Sequence, residues 1–171
     1  FGKIGQAVAH LLEPFGVNVG YHDPFADVPG YTRLELDDLM GWADVITLHC
    51  PKTENGAPLL DLGRLSLMRP GSIILNIARG GLIDEKALLG LLTAGHLAGA
   101  ALDCFTKEPY DGPLKEMDNV ILTPHIGGST QEAQENIGLE VANKLVKYSD
   151  NGSTLSAVNF PEVSLPGHKG S

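Results

Sequence analysis

The sequence predicts an α/β protein built on a doubly wound parallel sheet, and three observations carry that expectation. Short apolar runs suited to strands alternate with segments of helical period. The connections between runs are long enough to return each strand parallel to the last. The conspicuous polar residues Asp23, His49, Asn76 with Arg79, Asp103 with Glu108, and His125 fall at or just beyond the strand runs, at the carboxyl ends where such sheets gather ligands.

The elements follow in order. After Gly5, residues Ala7, Val8, Leu11, Leu12 and Phe15 recur at helical spacing, and Pro14-Phe15-Gly16 closes the run. Val17, Val19 and Tyr21 alternate as a strand that delivers Asp23 and Pro24. Residues 25–43 read as connection, with a short acidic helix over Leu34 to Met40. Asp44 to His49 is a strand, closed by Pro51 just outside it. A short helix over Asp61 to Met68 leads through Pro70-Gly71 into the strand Ser72 to Asn76. Asp84 to Ala94 is a leucine-rich helix stopped by Gly95, Leu97 to Cys104 a strand softened by small residues, and Val120 to Thr123 the last strand. From Ser129 the pattern changes: Ser129-Thr130-Gln131-Glu132 suits a capping box, and Ala133, Ile137, Val141 and Leu145 form one stripe of a long helix over 129–149. Asp150 to Ser153 breaks it, and 150–171 reads as an extended tail or interdomain linker, its last five residues a linker remnant or sequence foreign to the domain.

Composition narrows the function. With 12 basic against 21 acidic residues the net charge is −9, which argues against a nucleic-acid or anionic-membrane surface. No run of about 18 apolar residues offers a membrane span and no signal-peptide pattern opens the chain, so a cytoplasmic location is the default expectation. Cys50 and Cys104 belong to no C-x-x-C pair and read as plain buried thiols; no metal site is expected.

Three constellations carry chemistry, each beside a plainer reading. Gly2 and Gly5 are spaced like the last two glycines of G-x-G-x-x-G, and Asp23 follows Gly2 by 21 residues. Glycines before a helix are also common for structural reasons. In the functional reading Gly2 admits a pyrophosphate to the helix N-terminus, and the Asp23 carboxylate accepts both ribose hydroxyls while repelling a 2′-phosphate, which favours NAD over NADP. His22 beside it reads as an adenosine-side neighbour or solvated surface. Arg79 is either a solvated turn arginine or a guanidinium fork for a substrate carboxylate. Glu108, 17 residues before His125, would orient that imidazole and raise its basicity if folding brings them together, which spacing alone does not decide.

With these residues assembled, the chain resembles the D-isomer-specific 2-hydroxyacid dehydrogenases. The stretches that carry the likeness are Gly2 to Gly5, Tyr21 to Pro24, His49-Cys50-Pro51, LNIARGGLIDEKAL (75–88), GHLAGAALDCFTKEP (95–109) and TPHIGGST (123–130). The segment 130–166 is similar to the bacterial branch of that family acting on 3-phospho-D-glycerate in serine biosynthesis.

The resemblance implies a Rossmann-type NAD-binding domain over 1–128, and a helix leading back to a substrate domain whose main part is absent from the sequence. It implies catalytic roles for His125 as acid/base, Glu108 as its partner and Arg79 as binder of the carboxylate or carbonyl oxygen. It implies coenzyme contacts from Gly2, Lys3, Ile4, Asp23, His49, Cys50, Pro51, Ala78, Arg79, Asp103, His125, Gly127 and Gly128, with Asp103 toward the nicotinamide carboxamide. The implied partners are a small 2-hydroxy or 2-keto acid, oxidised or reduced reversibly, and a second copy of the chain through the coenzyme domain. Against the family pattern, the first sheet strand and the leading glycine are expected to be missing, which would expose apolar strand edges. The alternatives are a non-catalytic NAD-binding fragment or chimera, or a related dehydrogenase for another 2-hydroxy acid.

Overall fold

The computed structural model describes residues 1–157 and 159–166. The closing Gly-His-Lys-Gly-Ser segment lies outside the described residues. The chain divides into two compact units, Phe1–His125 and Ile126–Ser171.

In the first unit, α1 (Lys3–Leu12) starts from Gly2 and ends in a single turn of 3-10 helix, where Gly16 takes φ 67°. Strands β1 (Gly20–Tyr21) and β2 (Thr32–Arg33) pair in parallel. Helix α2 (Leu36–Trp42) precedes β3 (Val45–Leu48), α3 (Leu62–Leu67) precedes β4 (Ile73–Asn76), and α4 (Glu85–Thr93) precedes β5 (Gly99–Leu102). Strand β6 (Val120–Leu122) completes a four-stranded parallel sheet in the order β3-β4-β5-β6. The single expected sheet is therefore two: among the described residues no ladder joins β1 to β3. That interruption falls where the order 3-2-1-4-5-6 of a dinucleotide fold places its first strand.

One sheet face is dry. Ile46, Leu48, Ile74, Ala100 and Leu102 are buried, and with Leu65, Met68, Leu88 and Leu97 they form the core. Fully burying a leucine such as Leu88 contributes about 2 kcal/mol. Helix α2 packs on α3, and α3 on α4. The side chains that alternate to the other face, Val45, Ile73 and Ile121, are exposed.

The expected elements are present with shorter bounds, each for a local reason. The run from Val17 to Tyr21 is paired in register only at 20–21, because its partner β2 is two residues long. The acidic helix begins at Leu36 rather than Leu34, since the Leu34 amide is drawn to the Tyr21 carbonyl. Asp61 and Asp84 stand outside their helices as N-caps, accepting from Arg64 N–H and from Lys86 and Ala87 N–H.

In the second unit, α5 (Gln131–Asn151) is capped by Thr130, whose hydroxyl accepts the Ala133 amide, so the cap sits one residue later than the Ser129 box implies. It ends at Gly152, φ 76°, two residues past the expected boundary. None of its residues is buried, so the stripe of Ile137, Val141 and Leu145 is exposed. Among its described residues the tail has no regular element, and it folds back on itself. Thr154 N–H donates to the Val163 carbonyl, Leu165 N–H to Ser153 Oγ, and Asn151 Nδ2 to the Leu165 carbonyl.

Candidate active site

Register builds the site. Leu48, Asn76, Leu102 and Leu122 pair in one row across the sheet, so all four strands end level. His49, the turn carrying Arg79, Asp103, and Thr123 with His125 therefore leave the sheet along one edge, at the carboxyl ends.

His125 and Glu108 meet there. Imidazole Nδ1 lies 2.9 Å from Oε2 and 3.1 Å from Oε1, and Glu108 Oε1 also accepts the Phe105 amide at 3.0 Å. An ionised carboxylate only accepts, so Nδ1 carries the proton and Nε2 is the basic nitrogen. The His125 hydrogen bond and then the Phe105 amide hold the Glu108 carboxyl below the usual carboxylate range. His125 takes φ 56°, in the left-handed region that a side chain enters at a cost of about 1 kcal/mol. A cleft of about 400 Å³ beside the pair is lined by Phe105, Glu108, Tyr110, Lys115, Leu122 and Pro124.

Asp103 is buried at the end of β5, where its Oδ1 accepts the Thr123 hydroxyl at 2.6 Å and its amide donates to the Asn76 carbonyl. Arg79 is exposed on the turn after β4, its Nη1 donating to the Ala78 carbonyl at 2.7 Å. Burial pushes the Cys104 thiol up, the charges of Asp103 and Glu108 add to that, and Arg79 opposes it.

The glycine turn belongs to the same unit and lies beside His49. Helix α1 has no side-chain cap at its N-terminus, so the amides of its first turn lack intrahelical acceptors and donate outward. A Cβ added at Gly2 would meet nothing within 4 Å, whereas one at Gly5 would lie 3.3 Å from the Phe1 ring and 3.9 Å from His49 Cβ. Gly2 thus leaves room for an anion, and Gly5 allows the close approach of helix to sheet. Asp23 stands against this turn. Its Oδ1 accepts from Phe25 and Ala26 N–H at 2.8 and 2.9 Å, and its Oδ2 pairs with the Phe1 nitrogen. The donor set and the space fit a dinucleotide.

Lys3 and Ile4 are exposed on α1's first turn. His49 Nε2 bonds to Thr47 Oγ1 at 3.1 Å, and burial lowers its pKa. Cys50 is half-buried with its thiol pushed up by burial, Pro51 is exposed, and Ala78 is half-buried. Gly127 and Gly128 belong to the second unit, where the Gly128 carbonyl accepts from Gln134 Nε2. His22 is tied to the Leu34 carbonyl at 3.0 Å. Thr123, Gly80 and Phe105, which sequence reasoning passed over, hold the polar groups in place; only their tertiary contacts reveal it. Among the described residues no group of three or more His, Cys, Asp or Glu could hold a metal ion, and no helix is long and apolar enough to cross a membrane.

Residues 1–127 match the family described as D-isomer specific 2-hydroxyacid dehydrogenase, NAD binding domain. The chain belongs to this family. Among its relatives, D-3-phosphoglycerate dehydrogenase of Escherichia coli K12 is 51% identical over 179 residues, covering 99% of this chain and 44% of the relative. The chain thus spans under half the length of that dehydrogenase. Among solved structures, a glyoxylate reductase from Paecilomyes thermophila superposes with a TM-score of 0.82 at 34% identity, covering 92% of this chain and 50% of that one. An NADPH-dependent glyoxylate/hydroxypyruvate reductase from Sinorhizobium meliloti, in complex with NADP and malonate, gives 0.80 at 28% identity, covering 96% and 53%. The family description names NAD, whereas this neighbour is printed as NADPH-dependent.

Proposed function

We propose that this chain is the coenzyme-binding and acid/base part of an enzyme that interconverts a D-2-hydroxy acid and its 2-keto acid, with 3-phospho-D-glycerate as substrate and NAD as coenzyme. The observation that carries the reading is the Nδ1–carboxylate contact between His125 and Glu108, level with Arg79 and Asp103 at one sheet edge. Identity of 51% to a phosphoglycerate dehydrogenase supports the substrate.

Oxidation of a 2-hydroxy acid requires removal of a hydroxyl proton and a hydride from the same carbon. His125 Nε2 takes the hydroxyl proton, while Glu108 keeps Nδ1 protonated and balances the imidazolium charge as it forms. Arg79 pairs with the carboxylate and steadies the carbonyl oxygen that develops at C2. NAD, when bound, supplies the acceptor for the hydride. The open N-terminus of α1 at Gly2, Lys3 and Ile4 holds its pyrophosphate, Asp23 its ribose hydroxyls, and Asp103 its carboxamide. A carboxylate at Asp23 disfavours a 2′-phosphate, which supports NAD over NADP.

A substrate panel tests this. The enzyme of which this chain is part is expected to reduce NAD with 3-phospho-D-glycerate in preference to D-lactate and glycolate, and to lose about a hundredfold in kcat/KM on Arg79→Ala. Tight NAD binding without turnover on any 2-hydroxy acid would instead mark a non-catalytic binding module.

A further inference from the structure

Arg79 reaches the site on an exposed turn, and an arginine there is useful only if its turn is stiff and fixed relative to the acid/base pair. Two residues outside the coenzyme and substrate contacts supply that stiffness. Asn76, only 2% exposed at the end of β4, spends its whole amide on the turn. Its Oδ1 accepts the Ala78 amide at 3.2 Å, and its Nδ2 donates to the Arg79 carbonyl at 2.9 Å. Its own carbonyl accepts the Asp103 amide, which ties the same residue to the end of β5. Gly80, buried next in sequence, lies flat against the following loop. A Cβ there would fall 1.7 Å from the Phe105 carbonyl oxygen and 2.2 Å from its carbon, so any side chain must push the two backbones apart. The Phe105 amide is the one that donates to Glu108 Oε1, and Glu108 holds His125. The contacts form a continuous chain from Arg79 through Asn76 and Gly80 to Phe105, Glu108 and His125.

We infer that Asn76 and Gly80 are positioning residues that hold Arg79 in fixed register with the Glu108–His125 pair. Neither is placed against substrate or coenzyme; they act through Arg79 and Phe105. The inference rests on the dehydrogenase reading for its kinetic test alone.

That test is a double-mutant cycle in the enzyme of which this chain is part. Asn76→Ala is expected to lower kcat/KM for 3-phospho-D-glycerate about tenfold to a hundredfold, with the NADH dissociation constant held within about twofold. In an Arg79→Ala background the same change should cost less than about threefold, because the residue it positions is gone. Equal losses in both backgrounds would overturn the inference, since a merely structural role is blind to Arg79. Should Asn76→Ala fail to fold, Asn76→Ser, which leaves a smaller void, carries the same cycle.

Amide hydrogen exchange gives a readout that needs no turnover. Gly80→Ala should speed exchange in both 77–81 and 105–108 by about tenfold or more while leaving β3 protected. Loosening confined to 77–81 would overturn the coupling. If the unaltered protein oxidises no 2-hydroxy acid, the dehydrogenase reading fails, and the exchange result still decides this one.

Discussion

Replacing Asp23 by asparagine removes one charge, and with it the ion pair between Oδ2 and the Phe1 nitrogen. Asp23 Oδ1 accepts two backbone amides, from Phe25 and Ala26, and an asparagine carbonyl oxygen can accept both, so the turn after β1 should survive. What is lost is the negative charge beside α1's N-terminus. A unit charge about 4 Å away is worth about 1 kcal/mol in water and about 4 kcal/mol at an effective dielectric of 20. For a part-exposed carboxylate facing a nearly dianionic 2′-phosphate, a figure toward the lower end, roughly 2 kcal/mol, is appropriate, or about thirtyfold in coenzyme preference. The assay is the ratio of NADPH to NADH dissociation constants, read by fluorescence titration in the parent and in Asp23→Asn at one ionic strength. Asp23→Asn is expected to move that ratio toward NADPH by about thirtyfold, with NADH itself weakened about fivefold by the poorer ribose acceptor. A change in the ratio below about twofold would mean that Asp23 does not face the ribose 2′ position, and the NAD assignment would lose its physical basis.

Other perturbations test the remaining parts. Glu108→Gln offers an uncharged amide to both His125 Nδ1 and the Phe105 amide; kcat should fall about a hundredfold with NADH affinity unchanged, measured by steady-state kinetics beside the titration. Leu88→Ala removes a fully buried side chain from the core and should cost about 3 kcal/mol, a drop in Tm of roughly 6–12 °C by calorimetry. Burial holds the folded-state pKa of His49 below its unfolded value, so the folded protein binds this proton less readily. The associated stability is complete above about pH 6.5 and is lost as pH falls through the lower folded value. His49→Gln should flatten that part of the acid limb in denaturant melts taken between about pH 7.5 and 5.

Much of the sheet was readable because its signals are local. The runs ending at Leu48, Asn76, Leu102 and Leu122 are apolar and flanked by turn residues, and Asp84 with Gly95 brackets α4 as cap and stop. Strand β2 escaped notice because Thr32-Arg33 is two residues long with both side chains exposed, so it shows no alternation; it exists only as a ladder partner of β1. The break between β1 and β3 is likewise a pairing fact that no periodicity reports. The bounds of the tail depended on back-bonds such as Leu165 N–H to Ser153 Oγ, which join residues 12 apart without any pattern.

The site divides along the same line. Asp23, Arg79, Asp103, Glu108 and His125 stand out in the sequence because charged or titratable residues beyond strand ends invite a chemical reading. Whether Glu108 reaches His125 was not decidable from a separation of 17 residues; the Phe105 amide and the loop back to the sheet edge bring them to 2.9 Å. The supports were invisible for a different reason. Thr123 reads as an ordinary strand residue until its hydroxyl is seen on Asp103, and Gly80 as one of two turn glycines until a Cβ is placed against Phe105.

The central claim is that His125, oriented by Glu108, exchanges the hydroxyl proton of a 2-hydroxy acid. It is tested most directly by following NADH formation from NAD and 3-phospho-D-glycerate in the parent protein and in His125→Ala, with NAD binding measured on the same samples. The account predicts turnover in the parent, a loss of about a thousandfold or more in the variant, and a change in NAD affinity of no more than about tenfold. Equal rates in the two proteins would contradict it.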